Sequence, residues 1–158
     1  MSDEVCYRQM ERGQEPVVFS LIQRVFDACV APHYSPSGVA RFYAQVSETS
    51  LREKAEDPVG GVFVAAKGAV LVGMVALARG HHIALLFVAP EYQGKGIGRA
   101  LVALAAERCR EIDRHGKTMT VNASPNSVPF YEKADFVPAS GERDDNGLRF
   151  TPMTKPMS

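Results

Sequence analysis

Apolar positions change period several times along this chain. Val5 to Met10 reads as a short strand, after which Val18, Leu21, Ile22, Val25 and Cys29 recur at helical spacing until Pro32 stops them. Ser35-Pro36 predicts an N-cap followed by proline in the first helical turn, and Val39, Phe42, Tyr43 and Val46 form that helix's stripe. Ser50 and Glu53 fit a capping box for a further short helix. Beyond Asp57-Pro58-Val59-Gly60-Gly61 the period falls to that of strands: Val62 to Ala66, Val70 to Ala78 and His81 to Val88, separated by Gly68 and by Arg79-Gly80. Short turns between three strands predict an antiparallel meander. Leu101, Leu104, Ala105 and Ile112 then mark a long helix ending near Gly116. A strand over Thr118 to Asn122, a helix over Asn126 to Ala134 and an extended segment from Phe136 follow. Asp145-Asn146-Gly147 predicts a hairpin turn into a last strand, Leu148 to Thr154. This order predicts an α/β (α+β) fold, a mixed and mostly antiparallel sheet of about seven strands with helices on both faces. With 158 residues and no internal repeat or long linker, one domain over residues 1–158 is expected.

The junction between meander and long helix carries the first chemical signal. In Val88-Ala89-Pro90-Glu91-Tyr92-Gln93-Gly94-Lys95-Gly96-Ile97-Gly98-Arg99 a strand ends at a proline and three alternating glycines lead into a helix. A glycine-rich turn at a helix N-terminus offers unpaired N–H groups and the positive end of the helix dipole, which suits a phosphate-bearing ligand. A nucleoside triphosphate loop would need Ser or Thr after Gly94-Lys95, but Gly96 stands there. A dinucleotide loop would need Gly-x-Gly-x-x-Gly early in a βαβ unit, and here the glycines follow a meander.

Gln93, Gly96 and Gly98 instead satisfy Gln-x-x-Gly-x-Gly, and with the strand before and the helix after they resemble the acetyl-CoA loop of the Gcn5-related N-acetyltransferase family. Val121-Asn122-Ala123-Ser124-Pro125-Asn126-Ser127-Val128-Pro129-Phe130-Tyr131-Glu132-Lys133-Ala134-Asp135-Phe136 is similar to the family's second block, and Phe150-Thr151-Pro152-Met153 to its last strand. The resemblance implies acetyl transfer from acetyl-CoA to a primary amine. It implies that backbone N–H groups from Gly94 through Lys95, Gly96, Ile97 and Gly98 to Arg99 hold the pyrophosphate, and that the pantetheine arm pairs with Phe87 and Val88. Asn126 matches the family's CoA-contacting asparagine and Asn122 lies at a strand end facing the same cleft. Tyr131 matches the acid that protonates the departing thiolate, a role open to a phenol that keeps its proton at neutral pH. No metal is implied.

Two positions depart from the family pattern. The strand His81 to Val88 holds no carboxylate to serve as base, which leaves His81, His82, Glu91, Tyr92, Glu142 or a water relay. Alternation lets at most one of the two adjacent histidines face the cleft, and an exposed turn is the default for both. Ala134-Asp135 stands where a helix-ending glycine is usual, and Asp tolerates the left-handed conformation that this position needs. The acceptor side is expected from residues 35–55 and 140–147, whose charged side chains are of mixed sign and select no substrate class.

Composition narrows the setting. Eighteen basic and eighteen acidic residues balance to net zero, with no basic excess pointing to nucleic acid or an anionic membrane. No apolar run is long enough to span a bilayer and no signal-peptide pattern opens the chain. Cys6, Cys29 and Cys109 are odd in number and far apart, as expected of free thiols in a reducing, cytoplasmic setting. A homodimer is expected for a small domain with exposed terminal strands. The rival to catalysis is a regulatory module that binds acyl-CoA without turning it over.

Overall fold

The structure, a computed structural model, describes residues 4–116 and 118–157. Its eight described strands join one sheet. The elements run β1 (Cys6–Gln9), α1 (Glu15–Val25), α2 (Pro36–Gln45), α3 (Glu48–Glu56), β2 (Gly61–Lys67), β3 (Val70–Ala78), β4 (His82–Val88), α4 (Ile97–Ile112), β5 (Thr118–Ala123), α5 (Val128–Lys133), β6 (Val137–Pro138), β7 (Arg143–Asp145) and β8 (Leu148–Pro156). Strand order across the sheet is β1-β2-β3-β4-β5-β8-β6, with β7 pairing β8, and only β4 and β5 run parallel. No helix among the described residues is long and apolar enough to cross a membrane.

The sheet has two apolar faces, which is why β2 and β3 are nearly continuous runs of buried residues. Val18, Ile22, Val25, Phe26 and Leu51 cover one face together with Val64, Met74, Leu85 and Phe87, and α2 lies over that side through Val39 and Phe42. The other face packs Ile97, Leu101, Ala105 and Tyr131 of α4 and α5 against Val75, Ile83, Met119 and Val121.

Three local readings change. The extra strand is β7, an exposed Arg-Asp-Asp stretch with no apolar alternation to reveal it; the Asp145-Asn146-Gly147 turn pairs it with β8. The capping box is one turn earlier than the Ser50–Glu53 pattern: Ser47 Oγ accepts from Ser50 N at 3.1 Å and Ser50 Oγ from Ser47 N at 2.8 Å. Val46 closes α2 in extended conformation, so Ser47 is the first residue free to cap. Past α1 the chain continues as a π-helical turn, Phe26–Val30, which widens the backbone where it meets the cleft described next. Asp135 adopts φ 72°, the left-handed conformation its position requires.

Candidate functional site

The site begins at an irregularity in β4. Leu85 pairs with Ala76 but Ile83 pairs with Leu77, so Ala84 is one residue too many and forms a bulge. The bulge reverses the alternation: Ile83 faces α4, whereas Leu85 and Phe87 face α1 and α2. Beside it the parallel pairing stops. Only His82↔Thr120 and Ile83↔Val121 join β4 to β5, and the strands then part, β5 continuing along β8 as far as Ala123↔Thr151. The opening becomes a cleft of about 1220 Å³ that passes from the α4–α5 side of the sheet to the α2 side. Among the described residues, the edge of β4 turned toward the opening has no strand partner beyond Ile83.

One end of the cleft is the glycine loop. Gly94 and Gly96 have φ of 78° and 85°, a conformation that side chains resist, and Gly96 is the N-cap of α4 with no side chain capping it. The first backbone bond of the helix is Ala100 N to Gly96 O, which leaves the amides of Ile97, Gly98 and Arg99 directed out of the helix end. This is a fit for pyrophosphate: several N–H donors, a helix dipole and no Cβ in the approach. At Gly98 a Cβ would meet Phe130 Cε1 at 2.9 Å, so this glycine also lets α5 close on α4.

The side chains of the loop act differently from its backbone. Gln93 donates from Nε2 to Val88 O at 3.0 Å, tying the loop back to the end of β4. Lys95 Nζ lies 5.3 Å from the centre of the Tyr92 ring and does not line the cleft. Arg99 lines it but donates to Lys133 O at 2.6 Å, bracing α4 against α5. Phe87 lines the opening, 9% exposed and packed beside Phe42 with ring centres 6.1 Å apart. Asn122 and Asn126 both line the cleft and are exposed. Asn126 does not cap α5, whose N-cap is Ser127; its Oδ1 accepts from Ser124 Oγ at 2.9 Å.

Tyr131 lines the cleft from α5 with only 4% of its surface exposed, its ring wedged edge-on between Phe130 and Phe136 at 5.1 and 5.4 Å. Burial pushes its phenol well above the ordinary range, so the hydroxyl keeps its proton at neutral pH.

The remaining candidates separate by position. His81 is exposed and its Nδ1 lies 2.8 Å from Arg79 O. Glu91 and Glu142 are exposed and held by Arg24 and Arg149, both at 2.9 Å, and neither lines the cleft. Tyr92 lines it beside the loop. His82 departs from the exposed turn expected of it: it is 9% exposed and lines the cleft. Opposite in phase to Ile83, it faces the α2 side, where its Nδ1 meets Thr120 Oγ1 at 2.7 Å. Burial, with the nearby charge of Arg79, lowers its pKa to about 4, so it is neutral across the physiological range. Thr120 carried no signal in the sequence, because its partnership with His82 exists only through the register of β4 on β5.

Over the α2 side of the cleft, Ser35 Oγ caps α2 through Gly38 N at 3.2 Å, and Arg41 pairs with Asp145 at 2.9 Å. The β7–β8 turn lies directly on α2: a Cβ on Gly38 would overlap Gly147 O, and one on Gly147 would sit 2.7 Å from Gly38 N. Tyr34, Phe42, Leu148 and Phe150 complete this end. Among the described residues no group of His, Cys, Asp and Glu is arranged to hold a metal ion.

The geometry has clear relatives. Residues 30–157 match the family model described as an acetyltransferase (GNAT) domain. The chain is 28% identical over 150 residues to the uncharacterized N-acetyltransferase YafP of Escherichia coli K12, covering 94% of this chain and 93% of that protein. A GCN5-related N-acetyltransferase from Rhodopseudomonas palustris superposes with a TM-score of 0.81 at 24% identity over 99% of this chain and 98% of the other. A PaiA N-acetyltransferase from Thermoplasma acidophilum, solved in complex with coenzyme A, gives 0.77 at 18% identity over 97% and 99%. With the bulged and splayed strand pair, the uncapped glycine loop and a family match over most of its length, the chain belongs to the GNAT acetyltransferase family and is an acyltransferase that uses acetyl-CoA.

Proposed function

We propose that this protein moves the acetyl group of acetyl-CoA to a primary amine by direct attack, with Tyr131 as the acid and His82 as the proton acceptor. The observation that carries this reading is the cleft itself, which reaches Tyr131 on one side of the sheet and His82 on the other through a single opening.

The amides of Ile97, Gly98 and Arg99 and the left-handed Gly94 and Gly96 hold the pyrophosphate, and the free edge of β4 at Phe87 and Val88 takes the pantetheine as an added strand. Asn122 and Asn126 contact the arm from the β5 side. Acetyl-CoA supplies the activated carbonyl. The incoming amine must lose a proton to become nucleophilic, since its pKa is about 10.4 in water. The amine attacks from its neutral fraction, and as the N–C bond forms its nitrogen becomes cationic and acidic; neutral His82 accepts that proton at Nε2 when Nδ1–H donates to Thr120 Oγ1. Because burial makes it a weak base, it passes that proton on to solvent and does not store it. As the N–C bond forms and the C–S bond breaks, the Tyr131 hydroxyl hydrogen-bonds the departing sulfur and protonates it. In water this transfer would run uphill, thiols having a pKa near 8.5. The apolar ring of Phe130, which lines the cleft beside Tyr131, raises the thiolate's proton affinity as well, which brings the two groups toward balance.

A thiol-release assay over a panel of amines tests this. Release in step with amide formation supports it. A rise in melting temperature with acetyl-CoA, but no release with any amine, would overturn it in favour of a binding module.

A further inference from the structure

On the α2 side of the sheet the cleft runs past His82 to Lys54 of α3, Gln45 of α2 and Arg79 of the β3–β4 turn. This end lies at the start of β4, the whole strand away from the glycine loop, so neither cation is placed to serve the pyrophosphate. Neither Lys54 nor Arg79 has a carboxylate within salt-bridge distance among the described residues. Asp145 is the one described acid that lines the cleft, and Arg41 already neutralises it. The acceptor end is therefore positive. A simple alkylammonium would be repelled there.

Arg79 also occupies its place against local preference. It has φ 55°, followed by Gly80 at 76°, in the three-residue connection 79–81, where Asn-Gly would be the unstrained choice for two successive left-handed positions. A residue kept in strained backbone beside a cleft points to a role in that cleft. A guanidinium is the side chain best matched to a planar carboxylate.

We infer that the acceptor is an amine that also carries a carboxylate, bound by Arg79 with Lys54 and Gln45 while its amino group lies beside His82. This rests on the acetyl-transfer reading and names the acceptor class for it. The carboxylate compensates the positive field and fixes the amine at the mouth of the opening between β4 and β5.

The test compares three matched acceptors in the thiol-release assay: an α-amino acid, its carboxamide and the corresponding alkylamine. The amino acid should have a kcat/KM about 10- to 100-fold higher, the span expected of one charge-assisted contact, with the difference carried by KM. Arg79→Asn, which suits the turn, should bring the amino acid down to the level of its carboxamide, while an undiminished thermal shift with acetyl-CoA shows the fold intact. Arg79→Glu should move preference toward an acceptor with a second ammonium. Equal use of the three acceptors by the wild type, or a preference that survives Arg79→Asn, would overturn the inference and leave acetyl transfer standing. No release with any acceptor would overturn both.

Discussion

Gly38→Ala separates the two ends of the cleft. In a helix interior alanine is favoured over glycine by about 1 kcal/mol, so propensity alone would make this substitution stabilising. The structure opposes it. The new Cβ would overlap Gly147 O and lie 2.6 Å from Gly147 C and 3.2 Å from Leu148 N. Ordinary carbon contacts are about 3.5–4.0 Å, so the β7–β8 turn must retreat by roughly 1 Å. Overpacking of this kind costs about 1–3 kcal/mol. The exposed Arg41–Asp145 pair, 2.9 Å apart, is strained by the same movement and contributes about 0.2–1 kcal/mol at most. With both losses set against the gain in propensity, the net loss is about 0–3 kcal/mol, or roughly 0–12 °C for a chain of this size. Function should suffer more than stability. Asp145, Leu148 and Phe150 ride on the displaced turn and line the acceptor end, whereas the glycine loop is on the other side of the sheet. A displacement of about 1 Å can cost about 10²-fold in rate. The expected result is an acceptor KM raised at least tenfold with the acetyl-CoA dissociation constant unchanged, read by steady-state thiol release and by isothermal titration. An unchanged acceptor KM would refute the idea that the turn on α2 shapes the acceptor site. Equal losses of donor and acceptor affinity would show general loosening instead.

Three further outcomes are expected. Tyr131→Phe should lower kcat by about 10²-fold, the low end for general acids because the transfer is poorly driven, with acetyl-CoA affinity retained; unchanged turnover removes Tyr131 as the acid. Gly96→Ala forces a Cβ into the left-handed N-cap of α4 and should weaken acetyl-CoA binding, seen as a smaller thermal shift at fixed ligand; an equal shift would mean the loop does not hold the cofactor. His82 also makes a prediction about stability. Its folded pKa of about 4 lies below the 6.5 of the unfolded chain, so the unfolded state binds the extra proton first. Stability is therefore full above pH 6.5 and declines as pH falls toward 4, by up to about 3 kcal/mol, and His82→Gln should flatten this part of a chemical-denaturation series; parallel curves would show that His82 is not buried neutral.

The glycine loop was legible because its shape lies in backbone conformation, and glycine spacing records backbone conformation directly. Gly96 needs its left-handed φ whatever surrounds it. The same holds for Asp135 and for the Asn146-Gly147 hairpin, where local stereochemistry leaves few options. β7 was missed because three exposed polar residues carry no period; it is a strand only because β8 is beside it.

By itself, then, the sequence determined the elements of the proposed donor side: a strand, a glycine-rich loop, a helix, and a tyrosine one motif later. These features are local, and local features survive in a one-dimensional pattern. The tertiary structure alone decided the end of the cleft proposed for the acceptor. The bulge at Ala84 sets which face each residue of β4 presents, and the two-residue pairing of β4 with β5 opens the cleft. Together they turn His82 from an expected surface residue into a buried partner of Thr120, 38 residues away. They also set Lys54 and Arg79, from separate elements, at one end of the same space. Side chains distant in sequence meet only through strand register and packing, which no single segment encodes.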